Sequence, residues 1–433
     1  ILGLIPILHL RRLATAPVLR EEGRSVTSGR AARLARRALV TVQIATAFML
    51  LIGAGLLFTS FREILAIDPG FEPEQILTAS VMLPDSTYPE PHDRRVFAQR
   101  ALDAARALPG VEIAAVTDTI PLGGSYSDGV MLAEGHRPVP GEAMLSPDRV
   151  TVSRGFFEAL EIQLGEGRFF EDRDSSGSSP ALIIDRALAE RFWPDQSAVG
   201  QRMFKPQGGD DPFRTDEHTT WYTVVGVIEK VSLRGLVEPN DRLGTCFFVF
   251  DQEPKDEVSF VIKTAGNPEL LIDGLRDSLA AIDPELPLAN IRLLTDRLSG
   301  SLLTQRGSVF LTTLFAGIAL LLATVGLYGI VAYLVTQRTR EIGIRVSLGS
   351  TRSQIFKLIM KEAVGILLLG LAAGIPLLLL LREALASQLY GVGPLDPRVL
   401  VGVSAVLSFV TLAACSMPAL RATRIHPSVA LKV

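Results

Sequence analysis

Thiol and metal chemistry have little to work with in this sequence. It holds two cysteines, and its five histidines, His9, His92, His136, His218 and His426, show no ligand spacing with each other or with cysteine. Neither a Gly-x-x-x-x-Gly-Lys-Ser/Thr phosphate loop nor a Gly-x-Ser-x-Gly nucleophile elbow occurs. Four long apolar runs carry no ionisable residue deep inside, which argues against a proton- or ion-coupled carrier. Cys246 falls in an acidic block and Cys415 in an apolar run, so the two are expected in different compartments with no disulfide between them. The absences together speak against a metalloenzyme, a serine hydrolase and a P-loop ATPase working from this chain alone.

What is abundant is apolar sequence and segregated charge. The 433 residues are 48% hydrophobic, too apolar for an ordinary soluble protein and, at 21% charged, too charged for one lying wholly in lipid. Residues 62–306 hold 24 Lys and Arg against 40 Asp and Glu, whereas the rest of the chain holds 19 against 6. An acidic block flanked by basic, lipid-adjacent segments marks sidedness, not nucleic-acid binding. The Arg-rich stretch 21–38, with Arg30, Arg33, Arg36 and Arg37, reads as a basic helix on the inner membrane surface.

The apolar runs 39–61, 308–336, 358–381 and 399–420 are each long enough to cross a hydrocarbon layer of about 30 Å. Gly53, Gly55, Gly326, Gly329 and the Gly370-Leu-Ala-Ala-Gly374 pattern offer places for close helix approach, and Pro376 a kink. Positive charge beside the runs places the N-terminus, the loop 337–357 and the tail 421–433 inside, with 62–307 and the loop 382–398 outside.

Within 62–307, two stretches read as strand–helix–strand. One is 76–83, 93–108 and 111–117; the other is 258–264, 268–282 and 288–293. Such pairs build a small open-faced α/β sandwich, expected from 71–120 and 251–305, with 121–250 as an inserted β-rich subdomain. In that insert Gly165, Gly167, Gly200 and Gly226 are expected at tight turns or close contacts, and Phe156, Phe157, Phe192 and Trp193 in the core.

The most informative stretch is Arg338 to Glu362. It is cationic and sits between two apolar runs, and from Thr351 onward Ile355, Leu358 and Ile359 recur at helical spacing, so a short cytosolic helix is expected there. The ordered string Arg338-x-x-Glu341-Ile342-Gly343-Ile344-Arg345-x-x-Leu348-Gly349, followed by Ile355 and Glu362, resembles the coupling loop of the MacB/FtsX-like ABC transporter permeases. The phrases Val152–Arg168, Ala181–Asp185, Ala187–Pro194, Val199–Met203 and Tyr222–Val227 follow the order of that family's external domain.

The resemblance implies an α+β membrane protein with four transmembrane helices and a large two-part periplasmic α/β domain between helices 1 and 2. It implies that Arg340, Glu341, Gly343, Arg345, Leu348 and Gly349 couple to a separate ABC ATPase, which would supply the ATP-Mg. The chain carries neither a phosphate loop nor an ABC signature of its own, and no cofactor is expected in it. A second permease unit and a periplasmic adaptor or enzyme are the other partners implied, in the bacterial inner membrane. Pro6-x-Leu8-x-x-x-Arg12 repeats the form of Pro418-x-Leu420-x-x-x-Arg424, so residues 1–20 read as the tail of a preceding unit, as in duplicated orphan permeases of the acidobacterial type. Three functions compete: an efflux permease converting ATPase motion into movement of the outer domain, an FtsX-like mechanical regulator of an extracytoplasmic enzyme, and a non-transport membrane sensor.

Overall fold

A computed structural model of the chain describes residues 25–136, 144–206, 213–237 and 243–423, with side chains from residue 34 onward. The segment 1–20 and most of the tail 421–433 lie outside the described residues. Residues 64–304 form one compact unit, and the described residues before and after them form another.

The chain opens with helix α1 (Ser25–Leu65). The α/β unit follows as β1 (Ile76–Met82), α2 (Pro91–Arg106), β2 (Val111–Thr117), β3 (Leu132–Ala133), β4 (Asp148–Val152), α3 (Phe156–Ala159), β5 (Leu164–Gly167), β6 (Ala181–Asp185), α4 (Arg186–Phe192), β7 (Arg202–Phe204), β8 (Trp221–Ile228), β9 (Thr245–Val249), β10 (Glu257–Thr264), α5 (Ile272–Ala280), β11 (Ala289–Leu293) and α6 (Leu294–Ser301). Then come α7 (Leu303–Gln337), α8 (Thr339–Ser347), α9 (Arg352–Ala386) and α10 (Pro397–Ala422).

The two strand–helix–strand runs interleave. Their strands pair antiparallel in the order β11-β1-β10-β2. The period-2 alternation of a strand decides what each face meets. In β10, Val258, Phe260 and Ile262 turn toward Phe97, Leu102, Leu275 and Leu279 of α2 and α5, while Val261 packs into a cluster with Phe156 and Phe157. Segment 121–250 continues this sheet instead of starting another. A single pair, Thr117 with Val152, joins β2 to β4, and the sheet runs on through β9, β6, β8, β7 and β3, with β5 on β8. One core cluster is common to both parts, because Ile76, Ala115 and Val261 meet Val150, Phe157 and Phe247; a second, around Phe192, Trp193, Tyr222 and Phe248, belongs to the insert alone. Phe156 and Phe157 are fully buried there. Gly226 and Gly167 allow β5 and β8 to touch, since a Cβ on either would lie 2.3 Å from a backbone oxygen across the pair.

The other unit has four helices long and apolar enough to cross a membrane: Leu34–Leu65, Leu303–Gln337, Arg352–Ala386 and Pro397–Ala422. Helix α1 is the hub, half buried along its apolar window against 28% or less for the others. Small residues bring the others onto it. A Cβ at Gly370 or Gly374 of α9 would strike Ile44 or Phe48, one at Gly326 of α7 would strike Gln43, and one at Gly55 of α1 would strike Val399 of α10. Gly53 and Gly329 meet nothing within 4 Å, so of the six glycines read from sequence as contact points these two are not used. Cys246 and Cys415 are free and buried, one in each unit.

Candidate functional site

Helix α8 is short because its C-terminal end is specified. At its C-terminal end Gly349 adopts φ +90°, a left-handed conformation that suits glycine, and Ser350 N donates to Arg345 O at 3.0 Å. The next helix starts at once. Thr351 caps α9 in a reciprocal pair with Gln354: Gln354 Oε1 accepts from Thr351 N at 3.0 Å, and Thr351 Oγ1 from Gln354 N at 3.4 Å. Nothing interrupts α9 between Arg352 and the apolar run. The sequence expectation of a short helix from Thr351 is therefore corrected: the short helix is Thr339–Ser347, and the periodic residues Ile355, Leu358 and Ile359 form the first turns of a helix that continues into the third span.

Helix α8 is amphipathic in position. Ile342 and Gly343 are buried, and Ile342 packs with Ile355 of α9 and Ala422 of α10. Arg340, Glu341, Arg345, Leu348 and Gly349 are exposed, whereas Gly343 faces inward and contributes to packing. The exposed side also carries Ile344, and with Leu348 four residues on, 82% exposed, it makes an apolar ridge between arginines. The sequence reading passed over Ile344, although its spacing to Leu348 carried the signal. Arg345 donates to Glu341 at 2.7 Å, one turn away along the helix.

Behind α8 the packing is held by charge. Glu362 of α9, 19% exposed, accepts a hydrogen bond from Arg37 of α1 and lies 3.4 Å from Arg338, the residue between α7 and α8. Arg36 stacks over the Tyr333 ring of α7 at 4.4 Å. The Arg36–Arg37 turn of α1, the end of α7, α8, the start of α9 and the end of α10 thus meet at one end of the helical unit.

In the α/β unit a partly buried ionisable cluster surrounds Glu253. Lys205 and the Tyr222 hydroxyl both donate to its Oε1 at 2.5 Å, and Arg149 lies 3.6 Å away. Burial works to raise the Glu253 carboxyl, but the charge and hydrogen bond of Lys205 and the bond from Tyr222 outweigh it and hold it below the usual range. Burial lowers Lys205 and raises Tyr222. Lys205, Tyr222 and Arg149 all converge on Glu253, with only Arg149 Nε left without a hydrogen-bond partner, so the cluster reads as a structural clasp. Among the described residues no group of three or more His, Cys, Asp or Glu could hold a metal ion.

Residues 22–246 match the MacB-like periplasmic core domain, and residues 313–427 the FtsX-like permease C-terminal domain. The ABC transporter permease YknZ of Bacillus subtilis is 27% identical over 239 residues, covering 52% of this chain and 54% of the relative. The pyoverdine export ATP-binding/permease protein PvdT of Pseudomonas syringae is 26% identical, covering 61% and 40%, and the macrolide export ATP-binding/permease protein MacB of Bdellovibrio bacteriovorus 23% identical, covering 61% and 41%. The chain thus spans about half the length, or less, of the curated relatives it matches. The crystal structure of the periplasmic region of MacB from Actinobacillus actinomycetemcomitans covers 53% of this chain and 94% of its own at 12% identity and a TM-score of 0.34. The extracellular domain of YknZ covers 49% and 100% at 14% identity and a TM-score of 0.32. With a family domain matched over more than half its length and four membrane-length apolar helices, this chain is a multi-pass membrane protein that belongs to the MacB/FtsX-like ABC transporter permeases.

Proposed function

We propose that the chain is the permease component of an ABC-type export or mechanotransmission system in the bacterial inner membrane, and that α8 is its docking element for a separate ATPase. The observation that carries this reading is the build of α8. A short helix between two spans presents an apolar ridge, Ile344 and Leu348, flanked by Arg340 and Arg345, while its other face is anchored on α9 and α10. A push on such a helix passes into the spans and is not dissipated in a loop. The basic end of the helical unit lies in the cytosol under the positive-inside rule, and the acidic unit 64–304 is carried on the outer side between the first and second spans. ATP-Mg binds on the partner, a second permease unit completes the machine, and outer-domain motion drives export of a substrate supplied from the outer side or engages an adaptor there. The names of the relatives, which describe export of pyoverdine and of macrolides, favour export over regulation of an enzyme.

The test is a pull-down of the full chain in mild detergent, read by mass spectrometry for an ABC ATPase, with Glu341→Lys and Arg345→Glu alongside. The parent recovers the ATPase and each variant recovers about tenfold less, equivalent to about 1.4 kcal/mol. Equal recovery by all three overturns the docking assignment.

A further inference from the structure

The junction between α7 and α8 is one residue long. Arg338 N donates to Leu334 O at 3.1 Å and Arg338 O accepts from Ile342 N at 2.8 Å, so backbone hydrogen bonding runs almost unbroken across it. Only the φ of −100° and ψ of 12° at Arg338 turn the chain, and Thr339 Oγ1 donates back to Val335 O and Thr336 O at 3.1 and 2.9 Å. So slight a break does not by itself dictate where α8 points. Apolar packing anchors only the Ile342 face, on Ile355 and Ala422, and leaves a small pocket lined by Val331, Val335, Ile342, Leu358 and Ile359 beside the joint.

We propose that Glu362 is the positioning residue that sets the angle of α8. Its carboxylate holds the joint through Arg338 and ties it to α1 through Arg37. The stacking of Arg36 on Tyr333 keeps this turn of α1 against α7, which brings Arg37 within reach. Two half-exposed cations share one partly buried anion. If the anion is neutralised, Arg37 and Arg338 are left facing each other, a larger penalty than the loss of one attraction. Glu341 lines the same pocket, so Arg338 then turns to Glu341, displaces Arg345 from it, and α8 swings with its joint. Under this arrangement α1, the hub of the helical unit, feels any rotation of α8 directly through Glu362. The proposal rests on α8 being the docking element for its functional meaning, but its test needs no ATPase.

The experiment places spin labels at Leu34→Cys on α1 and Ser347→Cys on α8, both exposed, in the full chain with Cys246→Ala and Cys415→Ala, and measures the inter-label distance distribution in lipid nanodiscs. The parent gives one narrow distribution. Glu362→Gln shifts or broadens it by about 2 Å or more, the scale of discrete helix shifts. Glu362→Asp, which keeps the charge, restores the narrow distribution, and Glu341→Gln, which breaks only the exposed pair on α8, leaves it unchanged. An unchanged distribution for Glu362→Gln overturns the proposal, as does equal broadening by Glu341→Gln. Arg37→Gln reads the same clamp from its other side. It must also broaden the distribution, and it decides the matter if Glu362→Gln does not fold. Failure here with intact ATPase recovery would leave α8 as the docking element and remove only Glu362 from its control.

Discussion

At Asp174 burial and pairing act against each other. The side chain is 7% exposed, which works to raise its pKa, yet Arg168 donates to both carboxylate oxygens at 2.6 and 2.8 Å and Glu171 N donates at 2.8 Å. The pairing wins, and the folded carboxyl lies below the usual value of 3.8. A depressed folded pKa stabilises the fold above the unfolded pKa, and that contribution is lost as pH falls through the folded one. Asp174→Asn should therefore cost roughly 2 kcal/mol at pH 7, for a charge-assisted bond with its partner left half-satisfied. Thermal unfolding in detergent should show the gap to the parent closing as pH falls below about 3.9, the ordinary Asp value; a gap independent of pH would remove the charge from the explanation. Residue type made part of this scale legible. The aromatic run Phe156-Phe157 and the glycines 167 and 226 read as packing residues and are found packed. The partner of a charge was not legible, because Glu253 draws on Lys205 and Arg149, both distant in sequence.

For the elements, hydrophobic period located the helices but not their breaks. Helix α9 begins where a capping box and a left-handed Gly349 place it, six residues before the apolar run, so the periodic residues 355–359 belong to a long helix and α8 precedes them. Which glycine touches a neighbour was equally beyond the local pattern: Gly370 and Gly374 face α1, whereas Gly365 of the same helix faces open space. This makes a paired prediction. A Cβ at Gly370 would lie 2.4 Å from Ile44 Cγ2, so Gly370→Leu should push α9 off α1 and cost about 3 kcal/mol, the upper end for overpacking. Gly365→Leu, with nothing within 4 Å, should leave the unfolding temperature nearly unchanged. Equal effects of the two would mean that helix propensity, not the α1 contact, governs both.

Over the whole molecule, the division of charge between an acidic α/β unit and a basic-ended helical unit predicts a sidedness that can be measured. A membrane-impermeant thiol reagent added to intact spheroplasts should label Asp273→Cys on α5, an exposed position in the α/β unit, and should label Ser347→Cys on α8 only after lysis. The native cysteines are buried and should stay silent. The reverse pattern would invert the topology and take α8 away from any cytosolic ATPase.

Hydropathy and charge are summed over neighbours along the chain, so the sequence by itself determined the four apolar spans, the division into acidic and basic parts, and the strands and helices of the paired βαβ runs. Contacts between distant residues are not sums of that kind. Tertiary structure alone decided that 121–250 extends one sheet through the Thr117–Val152 pair, and that α1 is the hub onto which glycines of two other helices close. It alone brought together Arg37, Arg338 and Glu362, separated in the linear chain, as one ion cluster. The physical reason is that a buried charge must find its counter-charge in space, and only the packing of α1 against α7 and α9 sets which one is there.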